Sequence, residues 1–130
     1  DDFALIDELW RDWSPGYVPD PEFMRDLKAR FAAPGVAGAV CALYHNSLYP
    51  GDVAPELKAV QNRLGREPLA PPALHIHGAN DGCIGADVGR ANPKLFAGGI
   101  ESVVVPAAGH FVHLECPDAV NARLVAFLKK

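Results

Sequence analysis

The chain has 130 residues, 49% of them hydrophobic and 22% charged, which suits one modest core and rules out a disordered tail. Twelve Lys and Arg against 16 Asp and Glu leave a net charge of −4, with no basic run beyond Lys129-Lys130, which argues against nucleic acid as a partner. The longest nearly apolar stretch, residues 32–44, is interrupted by Pro34, Gly35 and Gly38 and is too short to span a bilayer, so no membrane role is expected. The three cysteines, Cys41, Cys83 and Cys116, are widely spaced and odd in number, so a reducing, cytoplasmic compartment is the expectation. Because the chain opens on Asp1-Asp2-Phe3 and its one methionine is Met24, it is expected to be part of a longer translation product.

The first half reads as helices separated by proline and glycine. Leu5, Ile6, Leu9, Trp10 and Trp13 recur at helical spacing until Ser14-Pro15-Gly16. A second helix is predicted with Asp20 as N-cap and Pro21 at its first position, carrying Phe23, Met24, Leu27 and Phe31 on one face and stopping at Pro34-Gly35. A third uses Val36, Val40, Leu43, Tyr44 and Leu48 before Pro50-Gly51. A fourth, residues 54–64, carries Leu57, Val60 and Leu64 and closes on Gly65.

The pattern changes after the proline-rich linker Glu67-Pro68-Leu69-Ala70-Pro71-Pro72. The apolar strand Ala73-Leu74-His75-Ile76-His77 runs into Gly78-Ala79-Asn80-Asp81. A short helix follows near residues 93–97. A second strand, Ser102-Val103-Val104-Val105-Pro106, leads to Ala107-Ala108-Gly109-His110, and a last helix covers 117–128. Short apolar strands alternating with helices predict an α/β class with a parallel sheet covered on its faces. A parallel pair needs neighbours to satisfy its backbone groups, so further strands are expected upstream of Asp1. The two strand ends present a carboxylate and an imidazole, and a carboxylate on one imidazole nitrogen fixes the tautomer and raises the basicity of the other.

These residues resemble the C-terminal part of an α/β-hydrolase-fold enzyme of the epoxide hydrolase and haloalkane dehalogenase branch. Gly78-Ala79-Asn80-Asp81 matches the Gly-x-x-Asp turn that supplies the triad acid. Gly109-His110-Phe111 with Glu115 and Pro117 matches the Gly-His-Phe-x-x-x-Glu-x-Pro segment that supplies the triad histidine. The resemblance implies a helical lid at residues 1–65, a linker at 66–72, and the closing strand-helix-strand-helix part of the hydrolase core at 73–130. It implies His110 as base and Asp81 as its orienting acid, with Asp87 in reserve. The substrate would be a small apolar epoxide or ester, and no cofactor is implied. In the lid, Tyr44 in Leu43-Tyr44-His45 is similar to an epoxide-binding tyrosine, and Trp10 and Trp13 would line an apolar pocket. For all three residues ordinary core packing is the competing reading.

The Gly-x-Ser-x-Gly elbow of the family, or its aspartate counterpart, is absent, since Ser14, Ser47 and Ser102 lack flanking glycines in that pattern and the chain has no threonine. Whether the nucleophile of the parent protein is Ser, Asp or Cys stays open. The N-terminal half of the core is therefore the implied partner, and without it homo-oligomers or swapped elements are expected. A non-catalytic protein-binding module is the alternative class. His75, His77, His110 and His113 invite a zinc reading, but no carboxylate or cysteine sits at ligand spacing, so no metal is expected. Glu115 is expected to help cap the last helix, and Cys83 to be a buried free thiol.

Overall fold

The computed structural model describes residues 2–49, 51, 53–63, 66–87 and 92–130. The chain is of mixed α/β class. Its described residues form helices α1 (Ala4–Trp13), α2 (Pro21–Phe31), α3 (Val36–Leu48) and α4 (Pro55–Arg63), strands β1 (Ala73–Gly78) and β2 (Ile100–Val105), and helices α5 (Val112–Glu115) and α6 (Pro117–Leu128), with a 3-10 turn at Pro93–Leu95. Two compact units divide the chain. One comprises Asp1–Ile6 with Pro19–Arg66, the other Asp7–Val18 with Glu67–Lys130. Residues 7–18, expected in the lid segment, thus belong to the same unit as the strands.

In the first unit α2 begins as its sequence dictates. The Asp20 side chain accepts hydrogen bonds from the Glu22 and Phe23 N–H groups at 2.8 and 3.0 Å, satisfying two donors that the first turn leaves unpaired, and Pro21 stands where no N–H is needed. Lys28 and Arg30 in the last turn complement the helix dipole. The helix ends at Phe31, three residues before the predicted Pro34-Gly35, with Ala32 as its C-cap and the Ala33 N–H turning to the Arg30 carbonyl at 3.2 Å. Phe3 and Phe31 meet with ring centroids 6.3 Å apart. Helix α3 matches its predicted apolar run, yet Leu43, Tyr44 and Leu48 are exposed, and no residue of α2, α3 or α4 is buried. The predicted ends of the third and fourth helices at Pro50, Leu64 and Gly65 lie outside the described residues.

The second unit is built on the β1·β2 pair, parallel and in register from Ala73↔Ile100 to Gly78↔Val105. The segment expected as a free linker extends this pairing backward. Leu69 bridges Phe96 in the same parallel sense, and its N–H reaches the Leu95 carbonyl at 2.7 Å. Helices α5 and α6 pack on β1. Val105, Ala108 and Val120 are buried with Trp10, which places the core of this unit under the C-terminal ends of the strands. Helix α6 has the predicted bounds. Helix α5 was not predicted, since a single turn of four residues is too short to show a period.

The N-cap of α2 generates the first prediction. Asp20→Ala should lower stability by about 1 kcal/mol, while Asp20→Asn, which keeps the acceptor, should cost much less. Denaturant unfolding followed by circular dichroism reads the difference.

Candidate functional site

The pairing of β1 with β2 continues into the loops that follow them. Beyond Gly78↔Val105, the Ala79 N–H bonds the Val105 carbonyl at 3.0 Å and the Asn80 N–H bonds the Ala108 carbonyl at 2.8 Å. Ala107 has φ of 61°, a left-handed conformation that costs an alanine about 1–2 kcal/mol and turns the chain toward that contact. The result sets Asp81 and His110 side by side at neighbouring strand ends. His110 Nδ1 lies 3.1 Å from Oδ1 and 3.0 Å from Oδ2 of Asp81.

The Asp81 side chain is 5% exposed. Burial alone would push its carboxyl up. The Ile84 N–H, the His110 ring and the Cys83 N–H outweigh this and hold it below its ordinary value of 3.8. The backbone donors reach Oδ1 at 2.9 Å from Ile84 and 2.8 Å from Cys83, so the turn after Asp81 closes on the carboxylate itself. An ionised carboxylate only accepts, so His110 Nδ1 donates its N–H to Asp81. The His110 side chain is 28% exposed, so the ring is held by the acid on one side and remains accessible.

The other predicted residues separate. Trp13 touches the pair: its ring meets the His110 ring edge-on at 5.0 Å. Trp10 is 7% exposed and stacks on Phe111 with centroids 3.8 Å apart, the core-packing alternative. Tyr44 lies on α3 in the first unit, with its side chain exposed. Asp87, the reserve acid, is also exposed, and the carboxylate bonded to His110 is that of Asp81. His77 Nε2 donates to the Ile84 carbonyl at 2.8 Å and lies 3.3 Å from Asp81 Oδ2, so it braces the acid turn. His75 bonds Ser102, its register partner on β2, at 2.9 Å, and His113 is exposed on α5. Among the described residues, no group of three or more His, Cys, Asp or Glu is arranged to hold a metal ion.

Two expectations are corrected. Cys83 is exposed rather than buried, because its backbone N–H is drawn to Asp81 and its side chain is left outside the turn. Local desolvation, then the Asp81 charge, pushes its thiol up, which makes it a poor nucleophile. Glu115 does not cap α6, whose N-cap residue, Cys116, makes no side-chain bond. Its carboxylate instead accepts from the Gly109 N–H at 2.7 Å, the Phe111 N–H at 3.1 Å and the Ser14 hydroxyl at 2.7 Å.

Sequence reasoning missed Ser14, which is completely buried, and the Trp13 carbonyl, which accepts from the Gly82 N–H at 3.1 Å and the His110 N–H at 3.0 Å. A main-chain acceptor leaves no trace in side-chain identity. Ser14 and Glu115 are 101 positions apart.

The site makes a prediction about protonation. In Asp81→Asn the Cys83 and Ile84 N–H groups would retain the amide oxygen, so the amide nitrogen would face His110 Nδ1 and force the proton onto Nε2. Nitrogen-15 NMR of the ring should show this exchange of tautomers. Because the folded carboxyl is depressed, its contribution to stability is complete above the ordinary carboxyl value and is lost as the pH falls through the depressed one. The acid limb of the stability curve should flatten in the same variant.

No family model matches the chain, and no solved structure matches it. It is similar to the dihydrolipoyllysine-residue acetyltransferase component of the acetoin cleaving system of Pseudomonas putida, at 39% identity over 59 residues, 45% of this chain. That similarity covers 15% of the relative's own length. No helix of the described residues is long and apolar enough to cross a membrane.

Proposed function

We propose that this chain is the lid and acid–base part of a cofactor-independent hydrolase of the α/β-hydrolase fold, acting on a small apolar epoxide or ester with a nucleophile outside these residues. The observation that carries the reading is the hydrogen bond from His110 Nδ1 to both oxygens of Asp81, at 3.1 and 3.0 Å, where two adjacent parallel strands end. His110 Nε2 would take the proton of the nucleophile or of the hydrolytic water, and Asp81 would stabilise the imidazolium that forms. Trp13, edge-on to the ring, would line the apolar side of the substrate pocket.

The nucleophile is assigned elsewhere because all three serines are committed. Ser14 donates to Glu115, Ser47 to the Leu43 carbonyl in α3, and Ser102 pairs with His75. Under this reading the N-terminal half of the core is the partner of the β1·β2 pair, and in its absence the chain self-associates through the open strand edges. Light scattering on the purified chain should then show oligomers. A compact monomer that melts cooperatively would count against a missing half.

Two observations favour other readings. The Pseudomonas putida relative is named for acetyl transfer, and a His–Asp base serves transfer as well as hydrolysis by deprotonating an acceptor other than water. The exposed Leu43, Leu48, Leu57 and Val60 of α3 and α4 suit a protein-binding module.

The isolated chain should leave a nitrophenyl ester at the buffer rate, because a base without a nucleophile and oxyanion donors has nothing to activate. Turnover by this chain that His110→Ala abolishes would contradict the assignment. Joined to a nucleophile-bearing half, His110→Ala should cost roughly 10²–10⁴ in rate. With an aspartate nucleophile the variant should accumulate a covalent ester seen as added mass, and with a serine it should stay unmodified. Added thiol or alcohol acceptors that capture the acyl group ahead of water would favour transfer, and the absence of any chemistry in the joined protein would favour the binding module.

A further inference from the structure

We propose that the Trp13-Ser14 dipeptide at the end of α1 is a positioning element for the His110–Asp81 pair, an inference that rests on reading that pair as base and acid. The three consecutive N–H groups around the base are all held from this one point or through Glu115. The Gly109 N–H goes to Glu115 Oε2 at 2.7 Å, the His110 N–H to the Trp13 carbonyl at 3.0 Å, and the Phe111 N–H to Glu115 Oε1 at 3.1 Å and Ser14 Oγ at 3.3 Å. On the acid side the Gly82 N–H, next to Asp81, reaches the same Trp13 carbonyl at 3.1 Å. One carbonyl therefore ties the residue after the acid to the base itself.

Ser14 controls the other half of the arrangement. Its hydroxyl donates to Glu115 Oε1 at 2.7 Å while accepting from Phe111, and its complete burial means that an unbonded hydroxyl there would be costly. With Ser14 in place, both Glu115 oxygens accept hydrogen bonds, Oε1 from Ser14 and Phe111 and Oε2 from Gly109. Steric fit gives an independent sign of the same contact. A Cβ on Gly109 would lie 2.5 Å from Ser14 Cα, and one on Gly82 would run into the Asp12 carbonyl, so both loops have glycine where they press on the 12–14 backbone. The two loops are registered on this segment as well as on each other.

A purely structural knot would raise stability without setting the base. A positioning element also fixes the geometry of the Nδ1–H bond to Asp81, which proton NMR reads as a downfield resonance assigned through its loss in His110→Asn. Ser14→Ala should keep the far-ultraviolet spectrum and a cooperative melt but lose this resonance to exchange, Ser14→Cys should retain it at reduced intensity, and Glu115→Gln should lose it with Ser14 intact. An unchanged resonance in folded Ser14→Ala overturns the proposal. Should the substituted chains fail to fold, amide exchange in the unsubstituted chain still decides. The N–H groups of Gly82, Gly109, His110 and Phe111 should exchange together as one protected block, and rapid exchange of Gly82 and His110 would overturn it equally. Absence of the downfield resonance from the unsubstituted chain would instead remove the acid–base reading itself, without bearing on how the loops are held.

Discussion

The carbonyl of Trp13 is the acceptor on which the site depends. The last carbonyls of any α-helix lack partners within the helix and are ordinarily left to water or to a capping turn. Here the last residue of α1 offers its carbonyl to two loops that have no regular structure of their own, and both the Gly82 and His110 N–H groups take it. Loop backbone that is buried must find partners, and parallel strands end without supplying them. The helix end does so just past the last bonds that extend the strand pairing, Ala79 to Val105 and Asn80 to Ala108.

The electrostatics follow from that anchoring. Burial acting alone would raise the Asp81 carboxyl, which would weaken it as the charged partner of the His110 ring. The backbone turn prevents this by directing the Cys83 and Ile84 N–H groups at Oδ1, and His77 closes the turn by bonding the Ile84 carbonyl. The Asp81 carboxyl is therefore held low by the Ile84 N–H, the His110 ring and the Cys83 N–H together. The turn from Asp81 to Ile84 thus supports the charge with its own backbone donors.

What the sequence made legible is what depends on local chemistry. The Asp20-Pro21 start of α2, the bounds of α6 and the order of the two strands all follow from caps, prolines and apolar runs a few residues long. The nearness of His110 to Asp81 was readable from the motifs at the strand ends. The supports of that pair were not. Ser14 reads locally as a helix terminator before Pro15, and nothing within ten positions of it indicates a bond to Glu115. Glu115 stands just before the proline that opens α6, where a helix-capping role is the natural inference. Its actual partners lie behind it in the chain, because the α5 turn folds the carboxylate back on the histidine loop. Trp10 and Trp13 have the same helical spacing and residue type, yet one stacks on Phe111 and the other meets His110 edge-on. A difference of three positions along α1 rotates them to different neighbours.

The same bonds bear on what chemistry the proposed reading can include. A base is useful only toward a group whose proton it can reach, and each serine hydroxyl of this chain already has a partner: Glu115, the Leu43 carbonyl or His75. Making Ser14 the nucleophile would require breaking its bond to Glu115, which would release Gly109 and Phe111 on either side of His110 and displace the base as it was being used. Under the proposed reading the Ser14 hydroxyl is thus excluded as the nucleophile. Cys83, beside the acid, is disfavoured on electrostatic grounds, since ionising its thiol would set a second negative charge next to Asp81. Under the proposed reading, with these side chains committed or opposed in charge, the reacting group would be brought by another segment of polypeptide or by the substrate.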